Sequence, residues 1–336
     1  MLERVFESKS IRHILKLIKH DSWLILDLDY TVMEPLRVLG SDPWFENLMH
    51  HMKNVIPNKD DAISSGLAIY HDVQHHVRVK PVEPIIVKLI KTLQDCGVPV
   101  LALTSRGSVL NETTIRQLSE IDIDFSKHHE INHPADLMKE NGNRALFYQG
   151  IIFCSGIDKG KCLKEYLRVC KNKPGHIMMA DDKEYHLKRV IAAMDEKHIQ
   201  IRANGMRYGY LDEQVKNFNK EKTNQQKEAT QQLAQIMNYL SLETQEIIRR
   251  LNLITDELDN DDRCDLEFFY LEPFDSTKRK FSELSVKYHD ALQPEKRAKV
   301  SNYLCVEEKV SFFSNSARKK ESVSDEKKSR LIPSFK

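Results

Sequence analysis

A chain of 336 residues, 40% hydrophobic and 30% charged, is long enough for a sizeable core and more than one domain. Its net charge of +1 supplies no global pull toward nucleic acid or an anionic membrane. No stretch approaches the roughly 18 apolar residues of a membrane span. The N-terminus is too interrupted by charge for a secretory signal, and six scattered cysteines without CxxC spacing read as reduced thiols of a cytoplasmic protein.

In chain order, "SIRHILKLIKH" has the spacing of an amphipathic helix leading into the first strand. Strands are expected at Trp23–Leu28, Val98–Leu103, Ile151–Cys154, His176–Ala180 and Ile199–Ile201. Helices are expected between several of them, at Glu83–Gln94, Leu110–Leu118, Lys161–Lys171 and Glu184–Glu196. Strands separated by helices of this length predict parallel crossovers and a helix-covered α/β sheet. Leu36–Arg78 lacks a strand run and reads as a helical insertion. Phe125–Gln149 is loop-rich and runs into a hairpin, "ALFYQGIIF", turned at Gln149-Gly150. Asn217–Glu228 is polar, a linker or exposed helix. Leu233, Ile236, Leu240, Ile247, Leu251 and Ile254 then recur at helical spacing. From about Pro273 the chain is basic and serine-rich, and its last stretch has the composition of a disordered tail. The organisation expected is a core over 1–215 carrying the insertion at 36–78, a helical extension over 216–272, and a tail over 273–336.

Four places carry candidate chemistry. In "WLILDLDYT" an apolar strand runs into Asp27 and Asp29, which a strand's period of two places on one face. Ligands gather at the carboxyl ends of strands in open parallel sheets. Two such carboxylates repel, and a divalent cation relieves the repulsion. An Asp-rich turn would have the same sequence. In "PVLALTSRG" a strand ends in Thr104, Ser105, Arg106 and Gly107, hydroxyls and N–H groups that suit phosphate oxygens but also cap helices. In "SGIDKGKCLKEYL" Lys159 and Lys161 stand at a helix start, where the helix dipole opposes a cation unless an anion is near. Gly156 and Gly160 loosen the backbone there, and ordinary surface lysines remain an alternative. In "HIMMADDKEYHL" another strand ends in Asp181 and Asp182, either of which could also cap the next helix.

Taken together and in this order, the four motifs resemble the haloacid dehalogenase superfamily, phosphatase branch, over roughly Trp23 to Tyr210. "ALTSRG", "KGKCLKEYL" and "ADDKEYHL" further resemble a bacterial group of that superfamily known as a domain of unknown function. The resemblance implies a Rossmann-like parallel sheet with a small helical cap and a Mg²⁺-dependent phosphomonoester hydrolase. It implies Asp27 as the nucleophile that becomes an aspartyl-phosphate, and Asp29 as general acid and base. Thr104 and Lys159 complete the catalytic set, with Lys161 as the fallback for Lys159. Thr31, Ser105 and Arg106 are expected to contact the phosphorylated substrate, although Arg106 would equally suit an exposed surface. Asp27, Asp29 (through its backbone carbonyl), Asp181 and Asp182 are expected to hold Mg²⁺. An acid two residues after the nucleophile separates phosphatases from the dehalogenases. The insertion lies where one class of cap enters this fold, and Trp44 and Phe45 would anchor it or reach substrate.

His71 and His75 share a helix face but lack a third ligand, and read as packing or a solvated face. Cys162 and Cys170 read as packing. Other outcomes are a phosphotransferase, or a catalytically silent scaffold that binds a protein partner through its C-terminal extension. No nucleic-acid partner is expected. The basic C-terminus would also suit an effector exported into a host cell.

Overall fold

The computed structural model describes residues 4–131 and 133–254. The end of the helical extension, from 255, and the basic tail lie outside the described residues. The strands are β1 (Val5–Ser8), β2 (Ser22–Leu26), β3 (Met33–Pro35), β4 (Val79–Pro81), β5 (Val100–Thr104), β6 (Ala135–Glu140), β7 (Asn143–Tyr148), β8 (Ile151–Phe153), β9 (His176–Asp181) and β10 (Arg202–Tyr208). The helices are α1 (Asp42–Val55), α2 (Lys59–Gln74), α3 (Ile85–Asp95), α4 (Asn111–Glu120), α5 (Lys159–Val169), α6 (Glu184–Met194), α7 (Asp212–Lys220), α8 (Lys222–Ile236) and α9 (Leu242–Arg250).

The fold is α/β, built on an eight-stranded sheet ordered β1-β10-β9-β2-β5-β8-β7-β6. Neighbours from β1 to β8 in that order pair in parallel, while β7 and β6 add an antiparallel edge. The central strands are buried on both faces, so they read as continuous apolar runs. Alternation nevertheless sorts their side chains. Leu24 and Leu26 of β2, Val100 and Ala102 of β5, and Met178 and Ala180 of β9 enter one core with Ile86, Leu89, Ile90 and Leu93 of α3. Ile25, Leu101, Leu103, Ile177 and Met179 enter the opposite core with α5 and α6, through residues such as Leu163, Tyr166, Leu187 and Met194. At about 1.5–3 kcal/mol for each fully buried large apolar side chain, these two layers supply the main drive for folding. Among the described residues no helix is long and apolar enough to cross a membrane.

Several elements depart from the expected ones for local reasons. Ile11–Lys16 forms a 3-10 helix, with β1 ahead of it. Strand β10 begins at Arg202 because Ile199–Ile201 is a turn, in which Gln200 takes a φ of 51° and Ile201 N–H donates to the Met194 carbonyl at 3.1 Å. The loop-rich region before the hairpin contains a strand of its own, β6, paired with β7 across Asn141-Gly142. The expected Gln149-Gly150 turn joins β7 to β8, with φ of 47° and 78° at the two residues, the left-handed pair of a tight hairpin.

The helical insertion is α1 and α2. It leaves and rejoins the core through the β3–β4 pair, where Leu36 N–H donates to the Arg78 carbonyl at 2.9 Å. Past β10, helices α8 and α9 bury Leu233, Ile236 and Ile248 in the same core that receives α3. Leu39 N–H donates to Gln232 at 2.8 Å and Ser241 N–H to Asp72 at 2.7 Å, which ties these helices to the insertion.

One glycine sets how closely two helices behind the site can meet. A Cβ on Gly160 would lie 2.6 Å from the Arg189 carbonyl oxygen and 2.9 Å from Ala193 Cβ, both on α6. Gly160 therefore serves close approach of α5 to α6 rather than a loosened backbone. Gly160→Ala is expected to lower stability in urea unfolding by roughly 1 kcal/mol or more through overpacking, despite alanine's better helix propensity. An unchanged midpoint would mean the helices separate at no cost.

Candidate functional site

Register brings the motifs together. Leu26 of β2 pairs with Ala180 of β9 and with Ala102 of β5. Asp27 and Asp181, just beyond those pairs, and Thr104, one residue further along β5, therefore emerge together at the carboxyl end of the sheet. The chain leaves β2 toward β5 and β8 on one side, while β9, β10 and β1 lie on the other, so Asp27 sits where the strand order reverses.

Lys159, the first residue of α5, joins this cluster from beneath. Its Nζ donates to Asp27 Oδ1 at 2.5 Å and to Asp181 Oδ2 at 2.7 Å, and it is 1% exposed. Burial opposes its charge, but Asp181 and Asp27 outweigh that and hold its pKa above the ordinary lysine value. Burial pushes the Asp27 carboxyl well above the usual range; Lys159 opposes this, while Asp181 and Asp182 add to it. Lys161 is instead half-exposed and paired with Glu140 at 2.6 Å, which removes it as the fallback.

Asp27, Asp181 and Asp182 each offer a carboxylate oxygen, and these atoms all lie within 4.8 Å of one another. Three carboxylates and the Lys159 ammonium leave two negative charges, the complement of a divalent cation. An all-oxygen donor set of this kind fits Mg²⁺. The Asp29 side chain is not in this group. Burial, with Asp181 and Asp42, pushes the Asp182 carboxyl up to about 7 against the pull of Lys183.

Asp29 is held by Arg106 instead. Nε donates to Oδ2 at 2.7 Å and Nη2 to Oδ1 at 2.8 Å, a bidentate pair. Arg106 Nη1 donates to Thr114 at 3.1 Å and Gln117 at 2.6 Å, and Nη2 reaches Gln74 at 3.4 Å. Its five N–H donors thus have five protein acceptors. The residue is 4% exposed, so it is neither a surface arginine nor a free ligand for phosphate. It fixes the carboxylate beside Asp27, a role invisible in "TSRG" because its partners come from three other segments.

Thr104 and Ser105 line the cleft above Asp27. The Thr104 hydroxyl accepts from Arg106 N–H at 3.1 Å. Thr31 does not line it. Tyr30 takes a φ of 61° in the tight turn after Asp29, and Thr31 is buried beneath that turn with Oγ1 unpaired. It is therefore withdrawn from the substrate-contact set.

The insertion supplies the facing wall, with Asp42, Phe45, Glu46, Leu67, Tyr70 and His71 on the cleft. Phe45 thus reaches the site while Trp44 is buried. His75 faces away, with Nδ1 2.5 Å from the Thr113 hydroxyl. Lys183 bridges the two walls, its Nζ within 3.5 Å of Asp42, 3.6 Å of Glu46 and 3.6 Å of Asp182. Reasoning from sequence missed Lys183, Tyr185 and His186 on the cleft, although all three directly follow the Asp181-Asp182 pair that marks the site.

The chain that carries this geometry belongs to the family described as "Protein of unknown function (DUF2608)", whose model matches residues 7–246. It is 26% identical over 200 residues to a protein of Chlamydia trachomatis serovar D named "Putative outer membrane protein", covering 59% of this chain and 74% of that one. A protein of the same name from Chlamydia muridarum is also 26% identical over 200 residues, with the same coverage. A Chlamydia pneumoniae relative is 25% identical over 190 residues, 56% of this chain and 71% of its own. No solved structure matches.

The raised Asp182 carboxyl gives a pH test. In chelator the folded chain holds protons between about pH 4, where an unfolded aspartate titrates, and about 7, where Asp182 does. The folded state then binds more protons than the unfolded one, so this group's contribution to stability falls as pH rises through that window. A Mg²⁺ ion held by Asp182 would have to displace the same proton, so its affinity would rise several-fold from pH 6 to pH 8 in calorimetric titration. A pH-independent affinity would remove Asp182 from the ligand set.

Proposed function

We propose that the chain is a Mg²⁺-dependent phosphomonoester hydrolase of the haloacid dehalogenase superfamily, working through an aspartyl-phosphate on Asp27. The observation that carries this reading is the convergence of Asp27, Lys159, Asp181 and Asp182 at one strand-end site, with a second carboxylate, Asp29, separately clamped beside it. A core that served only as a scaffold would have no need of buried, mutually repelling acids, which cost stability unless they are compensated.

The steps follow from the side chains. An Asp27 carboxylate oxygen attacks phosphorus while the bond from phosphorus to the leaving oxygen breaks. Asp29 gives that oxygen a proton. Water then attacks the phosphorus, Asp29 takes its proton, the bond to Asp27 breaks, and inorganic phosphate leaves. Arg106 occupies one lone-pair direction on each Asp29 oxygen, and a carboxylate has about four, so one oxygen can still serve the proton. Lys159 offsets charge between Asp27 and the incoming phosphoryl group, and the Thr104 and Ser105 segment donates to its oxygens. When bound to Asp27, Asp181 and Asp182, Mg²⁺ would supply electrostatic stabilisation of the transferring phosphoryl group.

The relatives' name refers to an outer membrane. For this chain we infer a reducing aqueous compartment, the cytoplasm or a host cell after export. Its free thiols at Cys96, Cys154, Cys162 and Cys170 support that reading.

The full chain is expected to release phosphate from phenyl phosphate with Mg²⁺ and to lose that activity in chelator. Asp27→Asn is expected to lower kcat by roughly 10³-fold or more, and Asp29→Asn by roughly 10²- to 10⁴-fold, with circular dichroism unchanged. Undiminished turnover by Asp27→Asn would reject Asp27 as the nucleophile. Phosphate appearing on an added alcohol instead of in solution would make the enzyme a phosphotransferase.

A further inference from the structure

The cleft over Asp27 has an apolar, ring-lined half that phosphoryl transfer does not use. The insertion contributes Phe45 and Tyr70, whose ring centroids are 4.4 Å apart. The first turn of α6 contributes Tyr185 and His186, 4.1 Å apart. Tyr185 borders the cleft and is 50% exposed, a large ring left partly in water with the Arg189 guanidinium 5.3 Å from its centroid.

Size narrows the occupant. The cavity is about 280 Å³. A cavity of about 150 Å³ holds benzene, so this one accommodates a single ring together with a phosphoryl group. Asp42 and Glu46 on the same wall are paired with Lys183, whereas the flat rings of Phe45 and Tyr70 favour offset or edge contacts with another ring.

We propose that the substrate is a phosphomonoester whose leaving group carries a planar aromatic ring, received between Phe45 and Tyr70 of the insertion and Tyr185 and His186 of α6. This rests on the phosphatase reading. The ring fills the apolar half of the cleft, and the phosphorus faces Asp27.

Benzyl phosphate and cyclohexylmethyl phosphate test this, because both release a primary alcohol of similar basicity and similar size and differ chiefly in the flat ring. With Mg²⁺ and the full chain, kcat/KM is expected to favour benzyl phosphate about tenfold or more, within the range that one pocket contact gives. Tyr185→Ala is expected to bring the ratio close to one, and Tyr185→Phe to keep it. The half-exposed position makes either variant safe for folding, and Phe45→Leu provides a second reading of the ratio from the opposite wall. Equal rates for the two esters in the wild type, or a preference that survives both Tyr185→Ala and Phe45→Leu, would overturn the inference while leaving the phosphatase intact. No turnover of either ester, nor of acetyl phosphate, would reject the phosphatase reading and this inference with it.

Discussion

The ammonium of Lys159 between Asp27 and Asp181 is the interaction on which the site depends. Three carboxylates within reach of one another at the end of a buried sheet would be untenable alone. Each carries a desolvation cost of several kcal/mol, and their mutual repulsion is strongest where water is scarce. Lys159 offsets part of both, and its own burial is tolerable only because two acids face it. The same lysine begins a helix whose dipole opposes it, a local conflict resolved at the level of tertiary structure. Everything that places Lys159 matters accordingly: the Asp158 cap that accepts from Lys161 N–H at 3.0 Å, the close α5–α6 approach at Gly160, and the register of β2 with β9.

A second polar hub connects the insertion to the chemistry. Gln74, the last residue of α2, is fully buried. Its amide donates to the Gly40 carbonyl at 2.8 Å, and its oxygen receives Arg106 and Gln117. Arg106 in turn holds Asp29. The helical insertion is thus bound through hydrogen bonds to the residue that would handle the proton, and through Lys183 to the acids that would hold the cation. Polar networks of this kind are costly when half satisfied and specifying when complete. This one fixes a single arrangement of insertion and core.

Much of the fold was legible before the structure. The runs at Trp23, Val98, Ile151 and His176 supply buried strands, and helices between them imply parallel crossovers. The insertion and the Gln149-Gly150 turn were equally plain, since a strand-free stretch and a left-handed dipeptide are local signals. Ile199–Ile201 misled because three apolar residues can close a turn onto a core as readily as they can open a strand. β6 was missed because an edge strand half in water carries a weak pattern. At the site, Asp27, Asp181 and Lys159 were readable from strand ends and a helix start. Arg106 was not, because its role depends on acceptors from Asp29, Gln74, Thr114 and Gln117, which only folding collects. The ring-lined wall was unreadable for the same reason, being assembled from α1, α2 and α6.

The central claim is that Asp27 forms a covalent bond to phosphorus. Rapid acid quench of the full chain with Mg²⁺ and a phosphomonoester, followed by peptide mass spectrometry, tests it directly. The account predicts a transient phosphoryl group on the peptide containing Asp27, sensitive to hydroxylamine and absent from Asp27→Asn. Multiple turnovers with no such adduct, or an adduct on another residue, would contradict it.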